Sequence, residues 1–354
     1  MNAVVETHVP QRTPVAAPHA THKFKLLLRR EFWEHKGGFF WAPLVAGAIS
    51  LLLTIMAIVV GEVVARKAIA DDGNLSIDGE VMVNGLDLGA LTGKLDARHM
   101  QDLANGIDMS LFMASSWPYI VLAFVVFFYC LGSLYDERKD RSVLFWKSLP
   151  VSDSLTVLSK ATSALLVAPL IALAVALVTM MGFMLVLSVV VMVHGGNPVT
   201  LLWGPGSPMK VVASCLAYVP VYALWALPTV GWLMLCSAWS RSKPFLWAIM
   251  VPLFAGILVS WVDLMQVFKL DASWFWSNIV GRMLLGTFPA MDLIYRDGFG
   301  QTSGHHNASG LLHDLSASNT LASLATPDIW IGAIAGAAMI YGAIQLRRRR
   351  ELAD

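Results

Sequence analysis

Apolar positions along this chain come in long blocks. Six stretches carry no Asp, Glu, Lys or Arg: Phe39–Gly61, Met109–Tyr135, Ala161–Met209, Val211–Ser240, Pro244–Val262 and Ile329–Leu346. A helix of about 20 apolar residues crosses the ~30 Å hydrocarbon layer of a bilayer, and each block supplies about that many or more. The pattern predicts an all-α polytopic membrane protein. Its six transmembrane helices are expected at about 39–61, 116–135, 155–193, 209–239, 244–265 and 328–346.

The stretches between the blocks define the rest. Residues 1–22 are rich in Pro, Thr, His and Ala without an apolar core, and read as a disordered tail, not a cleavable signal. Lys23–Lys36 is amphipathic: as a helix it lines Phe24, Leu27, Leu28 and Phe32 along one side and places Lys25, Arg29, Arg30 and Lys36 elsewhere. Such a segment suits the membrane interface. Outer loops are expected over 62–115 and 266–327, and a basic tail over 347–354. Pro169, Pro220 and Pro228 fall inside spans, where a missing N–H kinks or opens a helix.

Ala272–Tyr295 is apolar enough to be considered as a seventh span. Arg282 near its centre argues against crossing, because a mid-bilayer arginine costs roughly 2.5–3.5 kcal/mol on insertion scales. Interfacial helices or a re-entrant hairpin are expected instead, with Trp274, Phe275 and Trp276 at headgroup level.

Charge sets the orientation. With both termini inside, 17 of the 25 Lys and Arg residues lie on the inner side, including Arg29, Arg30 and Arg347–Arg350. The positive-inside rule therefore places both termini in the cytoplasm. Composition agrees: 56% of residues are hydrophobic and 14% charged, against about 25% charged in soluble proteins. Without a signal or organellar pattern, a bacterial inner membrane is the expected location. The three cysteines, Cys130, Cys215 and Cys236, fall inside spans and read as small packing residues. No basic stripe with interleaved aromatics points to nucleic acid.

Catalytic patterns are missing from the sequence. No Walker A loop occurs, Gly89–Lys94 lacking its spacing and its Ser or Thr, so no ATPase activity is expected of this chain. His-Glu-x-x-His and Gly-x-Ser-x-Gly are also absent, and the chain reads as a non-enzyme without catalytic residues or cofactor. His305, His306, His313 and Asp314 sit in a Gly/Ser/Asn-rich loop, and no metal is expected there. Trp225, Trp232 and Trp239 recur every seven residues, so they lie near one helix face, which suits packing or lipid contact, with the lining of a substrate path as the alternative.

The connector Asp136–Lys160 carries the strongest signal. It reads as a charged turn, a short apolar helix Val143–Leu149, then Pro150 with Ser152 or Asp153 capping the next helix. An aromatic pair, Phe145-Trp146, suits a docking knob for a partner.

In this element and in its topology the chain resembles the ABC-2-type transporter permeases, the membrane subunits of ATP-binding-cassette exporters with a six-span, type V-like fold. The matching residues are Glu137, Leu144, Leu149-Pro150-Val151-Ser152 and Lys160, together with the N-terminal LLRREFWEHKGGFFWAP. Arg141 stands where many members have glycine. The resemblance implies a transmembrane permease domain over 23–346 that forms the path for a lipophilic or peptide-like substrate. It also implies a coupling helix between spans two and three that contacts an ATPase subunit through Glu137, Arg141, Leu144, Phe145, Trp146, Leu149 and Pro150. An interfacial helix would carry Phe24, Leu27, Leu28, Arg29 and Arg30. Expected partners are that ATP-binding-cassette ATPase, which would bind ATP and Mg, a second permease subunit in a homo- or heterodimer, and membrane lipids. The alternative is a membrane scaffold or lipid-binding assembly factor that ATP does not drive.

Overall fold

The computed structural model describes residues 20–72, 75–77, 81–83, 96–142, 148, 151–265, 271–289, 291 and 308–350. Among them the chain is helical apart from one small hairpin. Six helical stretches are long and apolar enough to cross a membrane: Gly37–Lys67, Ala97–Lys139, Asp153–Val193, Pro208–Trp239, Pro244–Leu264 and Pro327–Arg349. The protein is a multi-pass membrane protein. Leu52, Val178, Phe254, Leu258 and Ile334 stand exposed on the flanks of the bundle, as lipid-facing side chains do.

α1 (Ala20–Glu34) leads through a π-turn at Gly37–Trp41 into α2 (Ala42–Asp72). A two-stranded hairpin follows, β1 (Leu75–Ile77) paired with β2 (Val81–Val83) in the register Leu75 to Val83. α3 runs Ala97–Gly132. Helix therefore occupies both ends of the stretch 62–115, where a loop was expected. The reason is a stripe of apolar positions, Ala104, Ile107, Leu111, Ala114, Pro118 and Leu122, buried at helical spacing. Between them stand Asp102, Asn105 and Asp108, which make the segment look like a loop when charges alone are followed. Asp96 caps α3 by accepting the His99 and Arg98 N–H groups. The backbone bond from His99, foremost, holds its carboxyl below the usual carboxylate range.

α4 (Tyr135–Lys139) opens the connector. α5 (Asp153–Thr162) and α6 (Ala168–Val193) form one long helix interrupted by a π-turn at Ser163–Val167. That turn immediately precedes Pro169, whose absent N–H disturbs the helical ladder there. Ser152 supplies the cap, its hydroxyl accepting the Leu155 N–H at 3.3 Å.

α7 (Pro208–Trp239) lies at the centre of the bundle and packs most extensively on α13 (Pro327–Arg350). Gly231 and Gly336 allow this approach, since a Cβ on Gly231 would lie 2.5 Å from the Gly336 carbonyl oxygen. The three tryptophans of α7 meet different neighbours. Trp225 is buried under Arg282, Trp232 donates to the Ala248 carbonyl at 2.9 Å, and Trp239 packs edge-on against Trp247.

α8 (Pro244–Leu264) is followed by α9 (Ala272–Phe275), a π-turn at Trp276–Gly281 and α10 (Arg282–Leu285). These 14 residues reach roughly 21 Å as a helix, short of the ~30 Å a span needs. They run beside α8 and α7 to the level of Trp225 and Thr229, midway along α7, where Gly286 turns the chain. Arg282 is sheltered there. Its guanidinium lies 4.1 Å over the Trp225 ring and donates to the Asp328 carbonyl at 2.7 Å. Trp274 is exposed, while Trp276 turns inward to donate to the Ser260 hydroxyl. α11 (Ala308–Asp314) and α12 (Ala317–Ala322) then cover the same end of α3 and α7. His305 and His306 lie outside the described residues; the His313 carbonyl accepts from Asn319.

Candidate functional site

At the end of the bundle where α1, the connector and the last helix meet, five charged side chains form one buried junction. Lys160, at the close of α5, lies 3.0 Å from Glu31 of α1 and 3.1 Å from Glu137 of α4. Glu137 also takes a 2.7 Å bond from Arg347 of α13, whose Nε reaches Asp153 at 3.2 Å. Tyr129 of α3 completes the set, donating its hydroxyl proton to Glu31 at 2.8 Å. The Lys160, Glu31 and Arg347 side chains are 3%, 1% and 4% exposed. Charges this deep are tolerable only because each has an opposite partner in hydrogen-bonding reach.

Local sequence explains how each group arrives. On α1 the inward face is Phe24, Leu27, Leu28 and Glu31, spaced as one side of a helix, with Leu27 buried and Glu31 the most deeply placed. Arg29 points outward, and Arg30 pairs with Glu34 at 3.1 Å. Leu26 and Trp33 are exposed on the opposite face. α13 continues without a break through Arg350, so Arg347 belongs to the packed helix although the sequence suggested a tail. The positive charge near the end of α13 also suits a helix C-terminus.

Both flanks of the connector are held. Glu137 and Asp153 each bond Arg347. Arg138 donates to the Ser237 and Ser240 carbonyls, while the Ser237 hydroxyl accepts the Leu134 and Tyr135 N–H groups. Together these bonds fix the end of α3 to the end of α7. Arg141 follows with φ of 55°, a left-handed conformation that glycine adopts without strain. Leu144, Phe145, Trp146, Leu149 and Pro150 lie outside the described residues.

The sequence reading singled out Glu137 and, through the family pattern, Lys160. It did not single out Glu31, and it took Arg347 for part of a basic tail. The signal for Glu31 was present: an acid at the fourth position of an otherwise apolar helix face. Its partner lies 129 positions away, too distant for helical spacing to reveal.

No group of three His, Cys, Asp or Glu among the described residues could hold a metal ion. The junction joins α1, the connector and α13 through one lysine and one arginine. No protein-family model, curated protein or solved structure matches this chain.

Proposed function

We propose that this chain is the permease subunit of an ATP-binding-cassette exporter, moving a lipophilic or peptide-like substrate across a bacterial inner membrane. The observation that carries the reading is the junction of Glu31, Lys160, Glu137, Arg347 and Asp153. Its two anchored flanks leave the segment between them, 143–150, as the part that meets a partner. A force applied to that segment passes directly to α1, α5 and α13. In this reading the junction faces the cytoplasm, segment 143–149 is the coupling helix, and a separate ATPase docks on Phe145 and Trp146. α1 is the interfacial helix, with Leu26 and Trp33 facing lipid. The first and fifth spans touch the rest of the bundle along narrow strips, leaving apolar faces for lipid or a second permease subunit.

Co-purification from the native membrane tests this. Trp146→Ala should abolish transport and ATPase docking, because truncating a central interface aromatic costs about 2 kcal/mol or more. Trp203→Ala, at the opposite end, should leave both intact. If neither substitution affects a bound ATPase or transport, or if no ATPase accompanies the native chain, the exporter reading fails and a scaffold role takes its place.

A further inference from the structure

At the end of the bundle opposite the ionic junction, α3 and α7 run side by side in the same direction. On α3, Gln101, Asn105, Asp108, Phe112, Ser116 and Tyr119 follow one another along one side at helical spacing. At the start of α7, the cap residue Ser207 and then Lys210, Ser214 and Tyr218 do the same. Both faces change character at the same level, from amide, carboxylate, hydroxyl and ammonium groups to aromatic rings.

The space between them is a two-part slot roofed by α11 and α12. The outer part is open on one side, measures about 650 Å³ and has a mixed lining that includes these polar side chains, with His313 and Ser316 on its far wall. The inner part encloses about 230 Å³ and is almost wholly apolar, lined by Met109, Phe112, Met113, Tyr119, Cys215 and Tyr218. Phe112 and Ser214 line both parts, so the two adjoin at these residues. The Ser207 N–H donates to Asp108 at 2.6 Å, which fixes the mouth. In the apolar part the Tyr119 hydroxyl is buried without a hydrogen-bond partner among the described residues, although a buried hydroxyl ordinarily has one.

We infer that this slot binds a single-chain amphiphile, its apolar chain lying between Phe112, Tyr119, Cys215 and Tyr218 and its polar head resting among Asn105, Asp108 and Lys210. A purely apolar ligand would make no use of the outer polar groups, and a polar one would strand itself against the aromatic end. One chain fits, because the inner part falls below the range of about 300–1,000 Å³ usual for drug-sized ligands. The head is zwitterionic or uncharged, since Lys210 and Asp108 offer one charge of each sign. The site needs only this chain and does not depend on coupling to an ATPase.

The test uses the full chain in nanodiscs and a lysophosphatidylcholine bearing a diazirine on its single acyl chain. After irradiation, mass spectrometry should find the label concentrated on α3 and α7 around Met109–Tyr119 and Ser214–Tyr218. Ser214→Trp fills the point where the two parts meet and should lower that labelling about tenfold, a loss of roughly 1.4 kcal/mol. Ala248→Trp serves as a fold-disturbing control elsewhere on the bundle and should not lower it selectively. A two-chain phosphatidylcholine with the same diazirine should label the slot far less. Labelling spread evenly over the exposed flanks of α2 and α8, equal labelling by the two-chain probe, or no response to Ser214→Trp would each overturn the inference. ATPase docking measured in parallel separates this result from the exporter reading, which stands or falls on Trp146.

Discussion

Lys160 and Glu31 meet at 3.0 Å with both side chains almost fully enclosed, joining the close of α5 to the inner face of α1. Burial of two ions costs several kcal/mol each before their attraction is counted, so such a pair is poor evidence of net stabilisation. What it does ensure is that neither partner can be lost alone.

The first prediction follows from that asymmetry. Lys160→Met should destabilise the protein by about 3–5 kcal/mol, because it leaves Glu31 and Glu137 buried beside each other without their shared cation. Glu31→Gln should cost less, since Tyr129 can still donate to the amide oxygen. The double variant should recover part of the loss, with a coupling of roughly 0.5–3 kcal/mol. Thermal unfolding in detergent micelles measures all three, and strictly additive effects would show that the pair does not act as a unit.

Arg141 provides a second test. Its φ of 55° costs a non-glycine residue about 1–2 kcal/mol. Arg141→Gly removes that strain, offset in part by the freer unfolded chain, and should raise stability by up to about 1 kcal/mol. If the Arg141 guanidinium also meets a partner, the same variant should weaken that association most at low salt. A fall in thermal stability would show that the turn depends on the side chain.

The crossing of α7 and α13 is the third. Leucine at Gly231 has no space, because its Cβ alone would approach backbone atoms of Gly336. Gly231→Leu should separate the helices and cost at least 1–3 kcal/mol, roughly the penalty for overpacking. Since α13 carries Arg347, the same variant should loosen the ionic junction, readable as faster proteolysis at the connector. Normal stability in Gly231→Leu would mean that the two helices are not in close contact in the membrane.

Orientation is the fourth. Reporter fusions at Asp87, Asn197 and Asn307 should lie outside, and fusions at Arg30, Lys147, Lys243 and Glu351 inside, from the 17-to-8 division of Lys and Arg. Glu351 on the outside would require an odd number of crossings and bring back a seventh span through 272–295.

The six spans were legible in the sequence because crossing a bilayer is a local demand: an unbroken apolar run of sufficient length meets it whatever its neighbours do. The cap at Ser152 was legible for the same reason, resting on residues close in the chain. What tertiary structure alone decided is which side chains meet. Glu31, Glu137, Lys160 and Arg347 come from four separate helices and look, along the chain, like ordinary members of basic and acidic flanks. Only packing withdraws them from water and makes them depend on one another. The beginning of α3 shows the same division. Its charges suggested a loop, but contact with α6 and α7 buries Ile107 and Leu111 and turns that segment into helix. Charge and hydropathy are properties of a residue and its near neighbours, whereas burial is a property of the surfaces brought against it.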